Sequence, residues 1–366
     1  MSTLTDKKPV LMAYEGSKTR HNLIVISFFL LLNILLAFIF TWSNGFQHAS
    51  AVAATSVGAH AMSRHRTIWI IAVFEFLGTC FGGSAVAQVV QGLSEWPARP
   101  TLLPILAAAL LTATAWNFVA RVLKVSASST HSLLGGLMGA LFAASSNFGY
   151  IRPGEFDIVH PNGVIGAFIS LFLSPFLGYV IAYLFFCIGL VCALRATNRL
   201  ARYLNKCQPV LTALVAFGDG ANDTQKTMGL LVLALNASGI MSLQDIPVWM
   251  RLLIGLAMAS GAFFINSGLV NELAFDIFKI KPLNAFTANL SSACVLIGNT
   301  IVGGPVSASQ VVAASIIGTG AASRQRGIHW LIIKDLLLSW LITIPANALI
   351  ASGFYLLLFK TLSANL

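Results

Sequence analysis

Long runs of apolar residues dominate this chain. A helix that crosses the hydrocarbon core of a bilayer needs about 20 consecutive apolar residues, and the first run, Leu23–Trp42, meets that length. Similar runs follow along the sequence, so the pattern predicts an all-α, polytopic helical membrane protein. The further runs are Thr67–Leu93, Leu102–Leu123, Val164–Leu194, Leu211–Val215 continuing through Met228–Leu243, Ile246–Val270, Phe286–Ile301, Val306–Ala322 and Trp330–Phe359.

Glycine and proline interrupt several of these runs, and some runs are too long for one crossing. Pro175 lies within Ile169–Gly178, and Pro345 lies within Leu338–Ile350. Proline removes a backbone donor and disfavours a helix interior. The interruptions therefore predict broken helices and re-entrant hairpins at membrane depth.

The composition supports the membrane assignment. Charged residues make up 9% of the 366 residues, whereas soluble domains carry about 25%. Hydrophobic residues reach 57%, and the mean hydropathy is +0.82. These values exclude a soluble enzyme, a disordered chain and a nucleic-acid-binding protein. We expect a multi-pass protein of the plasma membrane, which in a bacterium is the inner membrane, with the lipid bilayer as its surroundings. The five scattered cysteines form no CxxC motif, so no metal centre and no cofactor are predicted.

Basic residues collect between the apolar runs. Arg195, Arg199, Arg202 and Lys206 form a cluster near the middle of the chain, and the positive-inside rule assigns such a cluster to the cytoplasm. The cluster divides the sequence nearly in half. The resulting organisation is a polar N-terminal segment at 1–22, a first transmembrane repeat at 23–194, a basic cytoplasmic connecting loop at 195–208 and a second transmembrane repeat at 209–366.

Two pairs of polar, glycine-containing stretches suggest an internal duplication. Asn44–Ala51 corresponds to Asp219–Lys226 with an offset of 175 residues, and Ser128–Gly139 corresponds to Ser307–Gly318 with an offset of 179 residues. Many transporters are built from inverted repeats with interrupted segments at corresponding positions. We therefore predict two inverted-topology repeats.

The polar stretches carry groups suited to an oxyanion and to a cation. Polar backbone at membrane depth occurs where it is buried in protein or lines a cavity, and helix N-termini with hydroxyl groups attract anions. The hydroxyl groups predicted to bind substrate belong to Ser128, Ser129, Thr130, Ser307 and Ser309. The alternative is that these residues only cap their own helices. Oxygen ligands for Na⁺, or sites for a carried proton, are expected at Asn222, Asp223 and Gln225.

Two charged residues have more than one interpretation. Glu75 lies in the apolar segment Trp69–Gly78, where an isolated carboxyl group faces a cavity or is protonated and structural. Lys226 could pair with Asp223 or Asp219, meet the anion, or extend toward the membrane surface.

At this point the sequence resembles the inorganic phosphate transporter (PiT) family, whose members have two inverted repeats. Gly220–Gly229 is similar to the family's second signature, GANDxQKxMG. The resemblance runs from Asn44 to Ala346 in the right order. Shorter matches are Asn44-Gly45-Phe46 with the start of NGFHDAAN, Phe74–Gly78 with the helix after it, Trp116-Asn117 and Ser128–His131 with the WN...SSSSH hairpin, and Pro305–Ser309 with the PVSTT hairpin.

The resemblance implies that phosphate is bound between the four polar segments and that the signature acids bind cations. The first signature departs from the family pattern, because Gln47-His48-Ala49-Ser50-Ala51 stands where the family has His-Asp-Ala-Ala-Asn. Other departures are Asp219 and Gln310, which replace family histidines, and Asn289, which replaces an acid. Further candidates for the site are Asn117, Asp219, Lys226, Asn289 and Gln310.

The predicted function is secondary active transport of inorganic phosphate by alternating access. His48 titrates nearer neutral pH than the acid it replaces, so we predict H⁺ coupling through Asp223, Glu75 and His48, with Asn44 beside them; Na⁺ bound near Asp223 is the alternative. A sulfate permease and a non-transporting receptor are rival functions. An enzyme is not expected, since no catalytic constellation stands out. Relatives suggest a homodimer.

Overall fold

The computed structural model describes residues 7–123, 128–193, 200–242, 246–265, 267–323 and 329–363, with the backbone alone for 7–21 and 363. Within these ranges the regular structure is helical, apart from one isolated antiparallel bridge between Ser94 and Ile151. The helices are α1 Lys7–Gly58, α2 Arg64–Phe81, α3 Ala85–Gln91, α4 Leu102–Leu123, α5 Ser129–Ser145, α6 Gly163–Ala193, α7 Leu200–Ala237, α8 Val248–Ala262, α9 Ser267–Asn271 with a π-helical turn at Glu272–Asp276, α10 Pro282–Val302, α11 Ala308–Ala322, α12 Trp330–Phe354 with a π-helical turn at Tyr355–Phe359, and α13 Lys360–Ser363.

The helices confirm a polytopic membrane protein. Among the described residues, five helical segments are long and apolar enough to cross a bilayer, and the number rises to seven if α2–α3 and α8–α9 each form one bent span. Both of these pairs bend by 70°. The five single segments are Asn22–Gly58, Leu102–Leu123, Gly163–Ala193, Pro282–Val302 and Trp330–Leu362.

Helices from the two halves of the chain pack against each other. Helix α5 packs against α4 and against α12 from the second half, while α11 packs against α10 and against α6 from the first half. Helices α1 and α7 contact each other, and each also packs on the bent pair of the other half: α1 on α8, and α7 on α2 and α3. This packing places the signature stretches of both halves side by side in the interior.

Two of the four stretches that we predicted to be broken are continuous helix. Asn44–Ala51 lies within α1, and Asp219–Lys226 lies within α7. Their glycines serve close packing, because a Cβ atom on Gly45 would overlap the backbone oxygen of Met258, and one on Gly220 would overlap that of Glu75. Glycine here removes a side chain from a helix contact without turning the chain.

The two prolines likewise do not interrupt their helices. Pro175 lies inside α6 and Pro345 lies inside α12. Neighbouring helices in a membrane protein can tolerate proline where local adjustments satisfy the freed carbonyl group. The chain is instead broken between α2 and α3, at Gly82–Ser84, and between α8 and α9.

The predicted connecting loop at 195–208 is helical in its later part. Helix α7 begins at Leu200 and contains Pro209. Arg202 and Lys206 are exposed on its first turns. Arg195 and Arg199 lie outside the described residues.

Candidate functional site

Two helices begin inside the protein. Ser128 precedes α5, accepts a hydrogen bond from the backbone N–H of His131 at 3.2 Å, and is fully buried. Ser307 precedes α11 in a similar extended conformation and is also buried. The backbone hydrogen bonds within the two helices start only at Ser132 and Val311. The first-turn N–H groups of both helices therefore make no backbone hydrogen bond within their own helix. The capping alternative therefore holds for Ser128, and Ser307 has no capping hydrogen bond.

The starts of α5 and α11 touch each other. The hydroxyl group of Thr130 donates to the carbonyl oxygen of Val306 at 2.9 Å. The amide nitrogen of Gln310 lies 3.3 Å from Nδ1 of His131. The hydroxyl groups of Ser307 and Ser309 lie 3.3 Å apart. The positive ends of two helix dipoles and several hydroxyl groups therefore converge in one buried region.

Asp223 lies at the centre of this region. Its Oδ2 accepts a hydrogen bond from the amide of Asn44 at 2.6 Å. Its Oδ1 accepts from Lys226 at 2.7 Å and from Ser129 at 3.3 Å. Both carboxylate oxygens are thus satisfied by groups from α1, α5 and α7, as a buried charge requires.

Lys226 has an unusual position for a lysine in a membrane helix. Its side chain is 2% exposed, although such residues usually extend to the membrane surface. The ammonium group donates to Asp223, to the hydroxyl of Thr130 and to the carbonyl oxygen of Val306, the last at 2.6 Å. The prediction that Lys226 pairs with Asp223 holds, and the same group ties α7 to the starts of both α5 and α11.

His48 links the same elements from the other side. Its Nδ1 lies 2.9 Å from Oδ1 of Asp219 and 3.9 Å from Oδ2 of Asp223. Its Nε2 lies 3.0 Å from the hydroxyl of Ser129. The hydroxyl group of Ser129 can donate to Asp223 at 3.3 Å or to Nε2 of His48. When Ser129 donates to Asp223, both nitrogens of His48 face acceptors, an arrangement that suits a doubly protonated ring.

A chain of amides supports Asn44. The amide nitrogen of Asn117 donates to Oδ1 of Asn44 at 2.6 Å and to the hydroxyl of Ser43 at 2.8 Å. Asn117 comes from α4, so this contact holds the amide group of Asn44 toward Asp223. Both asparagines are buried.

Glu75 brings a second carboxyl group close to Asp219. The two side chains are neighbours, and Glu75 is fully buried. Both oxygens of Glu75, and Oδ2 of Asp219, receive no hydrogen bond from a donor group of the described residues, and the two carboxyl groups lie close enough to hydrogen-bond each other when one of them is protonated. Buried acceptors without donors are rare in folded proteins, which makes these carboxyl groups candidates to share a proton or to receive one from a bound group.

Two residues that are predicted to bind substrate form hydrogen bonds with backbone groups in this conformation. Asn222 donates to the carbonyl oxygen of Gly304 at 2.9 Å and accepts from the N–H of Val306 at 3.1 Å. Gln225 accepts from the N–H of Val86 at 2.9 Å and donates to the carbonyl oxygen of Gly82 at 2.8 Å. Asn222 thus fixes the approach to α11, and Gln225 spans the α2–α3 break.

Asn289 belongs to a separate polar group. Its amide nitrogen donates to Gln208 at 2.9 Å, and its oxygen accepts from Thr55 at 2.7 Å. Thr55 lies seven residues beyond His48 on α1, which corresponds to about 10 Å along a helix. Asn289 is therefore not part of the Asp223 cluster.

The site is closed in this conformation. The side chains around Asp223 are between 0% and 2% exposed. A cavity of about 10 Å³ is lined in part by Thr130, Lys226 and Pro305, and a cavity of that size holds at most one water molecule. Accommodating an oxyanion here requires the starts of α5 and α11 to move apart.

Some members of the cluster were not identified from the sequence. Ser43 precedes the signature by one residue, and His131 follows the Ser-Ser-Thr run, so both could have been found by extending the motifs. The carbonyl oxygen of Val306 contacts Lys226 and Thr130 through the backbone. No side-chain pattern could have indicated it.

Comparison with known proteins agrees with this architecture. A relative from Bacillus subtilis (strain 168), named a probable low-affinity inorganic phosphate transporter, is 29% identical over 332 residues and covers 90% of this chain and 96% of its own. A relative of the same name from Rhizobium meliloti (strain 1021) is 30% identical over 327 residues, covering 88% of this chain and 94% of its own.

A solved structure titled the sodium-dependent phosphate transporter superposes with a TM-score of 0.75 at 21% identity, covering 90% of this chain and 98% of its own. That likeness supports the fold. The model of the phosphate transporter family matches residues 44–351, a range that contains every member of the buried cluster except Ser43. This protein therefore belongs to the phosphate transporter family, which comprises transporters and not enzymes.

Proposed function

We propose that this protein is a secondary active transporter that imports inorganic phosphate across a bacterial inner membrane by alternating access. The observation that carries the proposal is the convergence of the starts of α5 and α11 on the Asp223 cluster. Helix N-termini and hydroxyl groups bind anions without a full positive charge, and a buried position between helices of both halves suits a site that opens to each side in turn.

The contacts between α1 and α7 support an inverted repeat. With the 175-residue offset, Asn44 corresponds to Asp219, and His48 corresponds to Asp223. The observed pairs are Asn44 with Asp223 and His48 with Asp219, so exchanging the halves converts each pair into the other. Gln310 and His131, which correspond at the 179-residue offset, contact each other. Such reciprocal pairing is what a pseudo-two-fold axis produces.

The carboxyl groups of Glu75 and Asp219 favour phosphate over sulfate. Near neutral pH phosphate carries at least one proton, whereas sulfate carries none. A phosphate hydroxyl group can donate to Asp219 or Glu75, but sulfate would face these acids with acceptors alone. Sites that pair a substrate hydroxyl group with a buried acceptor discriminate strongly against analogues that lack it.

The charges of the cluster favour H⁺ as the coupling ion. Asp219, Asp223 and Glu75 supply up to three negative charges, and Lys226 and a protonated His48 supply two positive ones. The cluster reaches neutrality when Glu75 and Asp219 share one proton, and a buried cluster with unpaired charge is strongly unfavourable. A proton taken up or released with the substrate would therefore travel on Glu75, Asp219 or His48.

The test is uptake of radiolabelled phosphate into proteoliposomes, with an imposed pH gradient in Na⁺ or choline and with excess sulfate as competitor. We expect uptake that an inward proton gradient drives and that sulfate does not inhibit. Sulfate competition would change the substrate, and absence of uptake by folded protein would favour a receptor. A homodimer stays a prediction, which cross-linking in the same vesicles would address.

A further inference from the structure

The ammonium group of Lys226 occupies a position built like a cation site. It contacts a carboxylate oxygen of Asp223 at 2.7 Å, the carbonyl oxygen of Val306 at 2.6 Å and the hydroxyl of Thr130. Carboxylate, carbonyl and hydroxyl oxygens are the ligands that hard metal cations prefer. The three oxygens come from α7, from α5 and from the segment before α11. The Lys226 ammonium group therefore links three separate elements.

The other signature stretch has no lysine at the corresponding position. With the 175-residue offset, Lys226 corresponds to Ala51. On the same helix as Ala51, the ring of His48 contacts Asp219 and Ser129. Each signature carboxylate of α7 therefore has a basic group of the protein itself beside it, and the one beside Asp223 is the ammonium group of Lys226, which is tethered to the same helix.

We propose that the Lys226 ammonium group replaces a bound alkali cation at Asp223 and thereby makes transport independent of Na⁺. The ammonium group balances the charge of the Asp223 carboxylate and links Thr130 to Val306. A metal ion with these ligands would do the same. This inference deepens the proposed function and rests on it. It assigns to Lys226 the choice of coupling ion, while substrate binding remains with the hydroxyl groups and the helix starts.

The test compares two substitutions that remove the charge. Lys226→Ala leaves space beside the three oxygens, whereas Lys226→Met fills that space with an apolar chain. We expect wild-type uptake to be equal within about twofold in Na⁺ and in choline. Uptake by Lys226→Ala should fall more than tenfold in choline and recover severalfold in Na⁺ or methylammonium. Uptake by Lys226→Met should fall equally and not recover. Lys206→Ala, an exposed lysine on the same helix, is the control and should match the wild type.

A second readout does not depend on transport. A cation that binds only the folded state raises its thermal unfolding midpoint. In detergent, we expect 100 mM Na⁺ to raise the midpoint of Lys226→Ala by a few degrees relative to choline, and to leave the wild type and Lys226→Met unchanged. If Lys226→Ala cannot be purified in choline, its recovery in Na⁺ alone would support the proposal, and equal loss in both salts would overturn it.

The outcomes separate this inference from the proposed function. Wild-type uptake that requires Na⁺, or a Lys226→Ala variant that Na⁺ neither stabilises nor rescues, would overturn the role of Lys226 and leave phosphate transport intact. Absence of phosphate uptake by the wild type would overturn the proposed function. The Na⁺-dependent stabilisation of Lys226→Ala would still show that a cation site exists.

Discussion

The signature stretches of the two halves share their backbone packing but differ in charge. Gly45 in α1 and Gly220 in α7 each allow a close contact with the backbone of the bent pair of the opposite half. At the corresponding polar positions, α1 carries Asn44, His48 and Ala51, whereas α7 carries Asp219, Asp223 and Lys226. The two halves can therefore share the same backbone packing while their side chains carry different charges. A basic group of one half lies against an acid of the other.

The largest effect is expected from removing the shared packing. Gly45→Val and Gly220→Val would each force a side chain into a backbone oxygen. Because backbone cannot shift as a flexible side chain can, each variant should lose about 3 kcal/mol or more of unfolding free energy, and the two losses should be similar. Thermal unfolding in detergent measures them. Gly298→Ala in α10, where an added Cβ atom would meet open space, is the control and should change stability by less than about 1 kcal/mol.

Neutralising the two acids of α7 should show that they are not equivalent. Asp223→Asn leaves the buried Lys226 without its counter-charge, and breaking a buried ion pair costs about 3–5 kcal/mol. Asp219→Asn should cost less, because Oδ2 of Asp219 receives no hydrogen bond from a donor group of the described residues. Unfolding midpoints and phosphate uptake check the order. Equal losses in the two variants would contradict the central position of Asp223. Adding Lys226→Met to Asp223→Asn should restore stability without restoring uptake.

His48→Asp would make the first half resemble the second. The new carboxylate would lie against Asp219 and near Asp223, so repulsion should lower phosphate uptake more than about tenfold, the equivalent of 1.4 kcal/mol. Adding Asp219→Asn should recover part of the loss. Uptake that rises above the wild-type level in His48→Asp would instead show that the altered signature had impaired transport, and would favour the receptor function.

The smallest effect is expected at Glu75. Glu75→Gln removes one acidic group but keeps the shape of the side chain, so the midpoint of unfolding should change little. Phosphate uptake should fall severalfold, and excess sulfate should begin to inhibit it, because one acceptor for a phosphate proton is lost. Competition assays at fixed pH measure the change. Unaltered selectivity would assign Glu75 a purely structural part.

Much of the candidate cluster can be predicted from the sequence, because motifs preserve local chemistry. The second signature identified Asp223, and the matched Ser-rich stretches identified Ser129 and Thr130, all of which lie in one cluster. Sequence reasoning failed where glycine and proline had two interpretations. It expected interrupted segments at the polar, glycine-containing stretches, although Asn44–Ala51 and Asp219–Lys226 are continuous helix and their glycines permit close packing.

The sequence by itself determined the membrane class, and it predicts the pairing of the stretches and the residue types of the candidate site, because hydropathy and motifs are local properties of a chain. The tertiary structure alone decided that Lys226 meets Thr130 and Val306, that His48 faces Asp219, and that Asn289 lies elsewhere. These contacts join residues far apart in sequence. They depend on the angles at which α1 and α7 cross and on the positions of the starts of α5 and α11. The order of residues along the chain does not specify these angles and positions directly.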